Sequence, residues 1–183
     1  MLNIENWVRQ FSKEGKKATK LYGSVVTQIR HPAFYTQYSV KDTMTGRYEL
    51  LVLHLAIVLS VLRQYEDVNG PVSRRLVESF VTDMDDNMRE LGVGDMSVPK
   101  RVKKASAGLL ERSGDYISSL RNKNAQSLSQ DIAQHFEFSP TETAPQLLSH
   151  YCLISHEQIL EKAFSIIDKG LVEFPDPASV LPK

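Results

Sequence analysis

One stretch of this chain limits its possible folds more than any other. It is Leu50 to Leu62, thirteen residues in which only His54 and Ser60 are polar. Apolar residues recur on all sides of a helix drawn through this stretch, which indicates a helix buried over most of its surface. A membrane-spanning helix needs roughly 20 apolar residues, so the stretch is too short to cross a bilayer. We therefore predict a central core helix over about Arg47 to Glu66.

Helical periodicity fills most of the remaining chain, and signals for β-strands are nearly absent. Val72 to Leu91 is amphipathic, and another helix begins at Val98 and is predicted to break at Ser113-Gly114. A last long helix is predicted over Pro145 to Lys169, with Gly170 as its stop. The sequence thus predicts an all-α fold: a single helical domain of about seven to eight helices around the buried central helix.

The two ends of the chain differ from this helical body. Residues 1–19 are predicted to form a cationic N-terminal helical segment, and residues 20–170 the helical domain. Residues 171–183 are predicted to be a disordered tail, because three prolines fall within the ten residues from Phe174. Met1 to Lys20 lacks the apolar run of a secretory signal peptide, so a cytoplasmic location is expected.

Charge and cysteine content exclude several classes of protein. Lysine plus arginine (22) equals aspartate plus glutamate (22), so the chain as a whole is not an electrostatic binder of nucleic acid. No DNA partner is therefore expected. The single cysteine, Cys152, cannot form an internal disulfide and is expected to be a small core residue.

No group of residues has the pattern of a catalytic or metal site. The densest acidic group lies between Asp83 and Asp95, but its spacing does not match a calcium-binding loop. The five histidines include no i, i+4 pair, and His54 fits a core histidine with a hydrogen-bonded ring. We therefore predict no enzyme activity, no metal and no cofactor, and a protein that binds or assembles others.

A basic group follows the acidic one. It consists of Lys100, Arg101, Lys103 and Lys104. On a helix these side chains could contact RNA phosphate, anionic lipid head groups or an acidic partner, or they could form an ordinary solvated face. No aromatic residue is interleaved with them, so base stacking is not expected.

Two separate stretches of the chain carry a specific pattern. The first contains Tyr22, Arg30-x-Pro32-x-Phe34-Tyr35, Asp42-Thr43, Gly46-Arg47-Tyr48-Glu49 and His54. The second contains Asp83-Met84-Asp85, Arg89-Glu90-x-Gly92-Val93-Gly94-Asp95, Val98-Pro99-Lys100 and Lys103. In order and spacing they resemble the ubiquinol–cytochrome c chaperone family, over about Lys20 to Lys169. The chain departs mildly from the family at Tyr48, where phenylalanine is more frequent, and at Met96, where leucine is common.

The resemblance implies an all-α assembly chaperone, of the bacterial type, for the respiratory cytochrome bc complex (complex III). Mitochondrial relatives bind newly made cytochrome b, together with a second small assembly factor, near the ribosome exit. The implied partners are therefore cytochrome b or another complex III subunit, the second small factor and the ribosome. Peripheral contact with the cytoplasmic face of the inner membrane is also compatible with this role.

A chaperone for a membrane subunit needs an exposed apolar surface beside a polar rim. The family motifs supply candidates for both, with Tyr22, Phe34 and Tyr35 expected to line an apolar concave surface. The full set of predicted protein-binding residues is Tyr22, Arg30, Phe34, Tyr35, Arg47, Glu49, Asp83, Asp85, Glu90, Asp95, Lys100 and Lys103. Each of them could instead stabilise the fold.

Two other functions remain open from the sequence. A ribosome- or RNA-binding adaptor would use the basic group and the cationic N-terminal segment, and its RNA binding would weaken steeply with salt. A small helical protein that handles a metal or haem would need Asp83, Asp85, Asp95 and His54 to converge in one pocket.

Overall fold

The computed structural model describes residues 12–65, 70–139 and 142–181. Within these residues the chain forms eight α-helices, one short 3₁₀ helix and no β-strand. They are α1 (Lys13–Gln28), α2 (Ala33–Thr36), α3 (Met44–Tyr65), α4 (Pro71–Glu90), α5 (Val98–Arg121), α6 (Ala125–His135), α7 (Ala144–Glu161), α8 (Ala163–Lys169) and the 3₁₀ helix Pro177–Ser179. The all-α prediction is confirmed.

The predicted central helix is α3, and five other helices pack around it. Every residue from Leu50 to Leu62 is buried, and α3 contacts α1, α4, α5, α7 and α8. By length and composition α3 could cross a membrane, but 83% of its most apolar 18-residue stretch is buried inside the protein. That burial is typical of the core helix of a globular domain, in agreement with the interpretation of the sequence.

The helix starts follow local sequence signals. Ser12 begins α1, because its side-chain oxygen accepts a hydrogen bond from the backbone N–H of Gly15. Asn124 does the same for α6 through the N–H of Ser127. Helix α1 runs through positions 19 and 20 without interruption, so the predicted boundary between residues 1–19 and 20–170 does not divide the structure there. The part of the predicted N-terminal segment before residue 12 lies outside the described residues.

Two helix boundaries differ from the prediction. Helix α5 continues through Ser113-Gly114, where a break was expected, because it packs along α3 and buries Ser113. A glycine inside a helix costs only about 1 kcal/mol, and this packing outweighs that cost. The last predicted helix is divided at Lys162 into α7 and α8, because the backbone there (φ −99°, ψ 20°) leaves the helical region.

The prediction of a disordered C-terminal tail is wrong for residues 171–181. Val172 and Pro177 are buried, and the Tyr38 hydroxyl donates to the Pro177 carbonyl at 2.8 Å. The Gln28 side-chain amide donates to the Pro175 carbonyl at 3.0 Å. The prolines do not prevent ordering here, because the tail follows an irregular path whose carbonyl groups accept hydrogen bonds from α1 and from Tyr38.

Candidate protein-binding site

The two sequence stretches meet where α1, α3, α4 and α5 pack together. The Tyr22 hydroxyl on α1 donates to a carboxylate oxygen of Asp83 on α4 at 2.8 Å. The Tyr48 ring on α3 lies 6.3 Å from the Phe80 ring on α4, and its hydroxyl donates to the Ala105 carbonyl on α5 at 2.8 Å. Burial and the Asp83 carboxylate raise the pKa of Tyr22, so its hydroxyl keeps its proton. Tyr22 is buried, so its prediction as a lining residue of an apolar surface is wrong, and its bond to Asp83 instead joins the two stretches to each other.

Phe34 does not lie on a surface, and its prediction as a lining residue of an apolar groove is wrong. Its side chain is fully buried. Its ring packs edge-on against His54 and Tyr151, with 5.2 Å between ring centres in each pair. The short helix α2 places Phe34 against α3 and α7, so its large apolar area is used in the core.

His54 is a core histidine with both ring nitrogens hydrogen-bonded. Its Nδ1 lies 2.8 Å from the Leu50 carbonyl, which can only accept, so Nδ1 carries the proton. Nε2 then accepts from the Tyr151 hydroxyl at 3.1 Å, and the Gln28 amide donates to that hydroxyl at 3.0 Å. Complete burial lowers the pKa of His54 to about 4, which keeps the ring neutral.

Arg30, Tyr35 and Arg47 lie on the outer side of the connection from α1 to α3. Tyr35 is half-buried, and its hydroxyl donates to the Ile29 carbonyl at 2.6 Å. Arg47 is exposed and pairs with Asp42 at 2.7 Å, while Arg30 is exposed. These three side chains remain accessible to a partner.

Glu49 is buried, so its prediction as a protein-binding residue is wrong. Its carboxylate lies 3.2 Å from the Arg112 guanidinium, which also donates to the Tyr48 hydroxyl at 3.4 Å and to His135 at 3.3 Å. Burial raises the pKa of Glu49 to about 7, although Arg112 acts in the opposite direction. Glu49 therefore contacts α5 through Arg112, which in turn reaches His135 on α6.

Glu49→Gln tests this junction through the pH dependence of stability. In the folded protein the raised pKa keeps a proton on Glu49 at pH values where the unfolded chain has lost it. The contribution of Glu49 to the free energy of unfolding is thus fully present below the unfolded pKa of 4.5, and it is lost as the pH rises towards 7. We expect the free energy of unfolding of E49Q, relative to wild type, to rise by about 1–3 kcal/mol between about pH 5 and about pH 8.

Urea unfolding of both proteins at each pH measures this difference. His54 titrates in wild type and variant alike, so its contribution cancels. A difference that stays constant across this range would contradict a raised Glu49 pKa.

The remaining predicted residues gather at one end of the α4–α5 hairpin, which we define as the hairpin tip, residues 85–104. Arg89 bridges Asp85 at 2.6 Å and Asp95 at 2.8 Å. Glu90, Lys100 and Lys103 are exposed. Acidic side chains thus lie on the α4 side of the tip and basic ones on the α5 side.

Two large apolar side chains are exposed within this charged region. Met96 is 95% exposed and Leu91 is 60% exposed. Gly92 follows the end of α4 in the left-handed conformation (φ +74°), which reverses the chain and presents Leu91 and Met96 at the turn. Neither residue was among the predicted binding residues, although a large apolar residue in a polar turn between two helices is a signal for such a surface.

The residues required for a metal or haem pocket do not converge. Asp83 is bonded to Tyr22, Asp85 and Asp95 are paired with Arg89, and His54 is enclosed in the aromatic core. Among the described residues, no group of three or more histidine, cysteine or acidic side chains could hold a metal ion.

Comparison with known proteins identifies the family of the chain. A model of the ubiquinol–cytochrome c chaperone family matches residues 36–151. The chain belongs to the ubiquinol–cytochrome c chaperone family. The crystal structure of the Cbp3 homologue from Brucella abortus is 28% identical in sequence, with a TM-score of 0.80 over 97% of this chain and 99% of that one. No curated protein matches the sequence significantly.

Family membership gives this chaperone a role in the assembly of complex III and implies a non-enzymatic protein. The matched residues include the whole hairpin tip and the buried residues Glu49 and His54. The family stretches therefore contain two kinds of residue: those that build the core and those that remain on the surface.

Proposed function

We propose that this chaperone binds cytochrome b, or another complex III subunit, through the hairpin tip during assembly of the cytochrome bc complex. The observation that carries the proposal is the exposure of Met96 and Leu91 among the charged residues of the hairpin tip. Exposed apolar residues surrounded by charges are typical of a surface that another polypeptide covers.

The chemistry of the tip suits an unassembled membrane subunit. Such a client exposes apolar segments, and methionine adapts to apolar surfaces of many shapes because its side chain is unbranched and polarisable. The charged residues around Met96 would orient the client and speed its encounter. Arg30, Tyr35 and Arg47 offer a further accessible surface, for the client or for a second small assembly factor.

Site-specific photo-crosslinking tests the proposal. A photoreactive amino acid at position 96 should capture cytochrome b, or another complex III subunit, in native membranes. The matched control is position 164 on α8, because Phe164 is also apolar and 83% exposed but lies outside both family stretches. Capture at position 164 alone, or no complex III subunit at position 96, would contradict the proposed surface.

Met96→Asp gives a second measure of the same surface. The carboxylate would have to be desolvated against an apolar client, so we expect capture of cytochrome b to fall about tenfold or more. Phe164→Asp should leave capture unchanged. The helical circular dichroism of both variants should equal that of wild type, because residues 96 and 164 are exposed.

A ribosome or RNA contact through the basic group is the second candidate function. Lys100, Arg101, Lys103 and Lys104 are all exposed on α5, which favours contact with a polyanion. Capture of ribosomal RNA that falls steeply between low and physiological salt would support this function, and salt-insensitive capture of cytochrome b would favour the first. A ribosome contact would place the chaperone at the cytoplasmic face of the inner membrane while its client is inserted.

A further inference from the structure

A cationic cleft lies outside both family stretches, where the C-terminal ends of α3 and α5 meet α7. Its volume is about 530 Å³. Arg63 lines it from α3, Arg121 and Lys123 from the end of α5, and His156 and Glu157 from α7. Among the described residues that line the cleft, three permanent cations therefore face one carboxylate.

The ion pair and hydrogen bonds within the cleft satisfy only part of its cationic side chains. Lys123 pairs with Glu157 at 2.8 Å, so these two charges offset each other. Arg121 donates to the Ser60 carbonyl at 3.2 Å, which fixes one edge of its guanidinium. The Nε atom of Arg63 is buried and has no hydrogen-bond partner among the described residues. A buried donor without a partner is costly, and an acceptor entering the cleft would relieve that cost.

The electrostatics of the cleft agree with its geometry. Burial and then the nearby Arg121 lower the pKa of Arg63. Burial, followed by Arg121 and Lys123, lowers the pKa of His156, while Glu157 acts weakly in the opposite direction. His156 is thus held neutral, with its Nε2 bonded to the Ser60 hydroxyl at 3.0 Å. Within the part of the cleft that the structure describes, the cationic side chains outnumber the acidic one.

Helix ends alone do not account for this arrangement. Arg63 and Arg121 lie in the last turns of α3 and α5, where positive side chains interact favourably with the helix dipole. That interaction requires no cleft and no convergence of two guanidinium groups from different helices. Nor does it supply an acceptor for the buried Nε of Arg63.

We propose that this cleft binds the phosphate group of a small molecule or of a lipid head group. Guanidinium groups match the geometry of phosphate oxygens and can donate two parallel hydrogen bonds to them. Arg63 and Arg121 would hold the phosphate from two sides, with the Lys123–Glu157 pair at the rim. The volume exceeds that of a phosphate ion alone, so the phosphate would be carried on a larger molecule.

Titration of the full chain with inorganic phosphate tests the site, with sodium chloride at matched ionic strength as the blank. Calorimetry should give saturable binding at a ratio of one phosphate per chain. The His156 ring resonances should report it as well. A bound anion offsets the field of Arg121 and Lys123, so the pKa of His156 should move upwards on binding. Phosphate that binds without saturation, or no more than chloride, would overturn the proposal.

Substitutions distinguish phosphate binding in the cleft from a general effect of positive charge on the protein. Arg121→Gln and Arg63→Gln should each weaken phosphate binding about tenfold or more, since each removes a charged donor. Lys169→Gln at the exposed end of α8 removes the same charge elsewhere and should leave binding unchanged. If Arg121→Gln disturbs folding, Arg121→Lys keeps the charge but loses the paired donors, and it should still bind more weakly than wild type. An equal loss in all variants would overturn the proposal.

Two further probes identify the source of the phosphate. Glycerol phosphate tests a soluble ligand, and vesicles of phosphatidylcholine with or without phosphatidylglycerol test a lipid head group. Binding of glycerol phosphate that depends on Arg63 and Arg121 supports the site with a soluble ligand. Vesicle binding with the same dependence supports it with a lipid. Binding of neither probe would contradict the proposed ligand class.

Discussion

Phe34→Ala should lower the free energy of unfolding by about 3–5 kcal/mol, which is the range for truncating a buried phenylalanine. The ring is fully buried and contacts His54, Tyr38 and Tyr151. Its removal would leave a cavity at the point where α2, α3 and α7 meet, and the hydrogen-bonded His54–Tyr151 pair at its edge limits how far the cavity can collapse. Urea unfolding followed by circular dichroism measures the loss.

The same variant distinguishes a structural role from a binding role. Because Phe34 has no exposed surface, the fraction of Phe34→Ala that remains folded should capture cytochrome b as wild type does. Phe34→Leu, which restores most of the volume, should recover much of the stability. A variant of nearly wild-type stability that fails to capture its client would show that Phe34 is a contact residue, as its sequence motif predicted.

Gly46→Ala should lower the free energy of unfolding by about 2–3 kcal/mol, the upper part of the range for overpacking a well-packed site. A methyl group at Gly46 would collide with the carbonyl oxygen of Lys41, which is backbone and cannot rotate away. Lys41 is held by a hydrogen bond from the N–H of Thr43, and Thr43 in turn accepts from the N–H groups of Gly46 and Arg47. The start of α3 would therefore have to shift.

Gly114→Ala is the matched control for this substitution. Gly114 lies inside α5 on an exposed face, and an added methyl group would meet no atom within 4 Å. Alanine loses less backbone entropy on folding than glycine, so we expect this variant to be more stable by about 0.5–1 kcal/mol. Thermal unfolding of the two variants measures the contrast. A neutral or stabilising Gly46→Ala would show that α3 can begin differently from the arrangement described.

The surface residues of the family stretches could be recognised from sequence only in part. Glu90, Lys100 and Lys103 are exposed as charged residues usually are, and their prediction as partner-facing residues stands as a proposal. Arg89 was not among the predicted binding residues. It pairs with both Asp85 and Asp95, and the pair with Asp95 depends on a turn that folds back on α4. Met96 was missed because its side chain is exposed where an apolar residue would normally be buried.

The sequence by itself determined the central helix and the all-α class. A run of apolar residues from Leu50 to Leu62 can avoid water only by burial on all sides, whatever surrounds it. The reversal at Gly92 also has a local cause, since glycine readily adopts the left-handed conformation that ends an amphipathic helix. These features depend on neighbours within a few positions along the chain.

Only the tertiary structure decided which motif residues are core and which are surface. Phe34 and Glu49 share their stretch with the exposed Arg47, and only packing against α5 and α7 buries them. The tail is ordered for the same reason, because Tyr38 and Gln28 supply donors to its carbonyl groups from distant parts of the chain. Burial and hydrogen bonding between residues far apart in sequence leave no periodic signal in either partner alone.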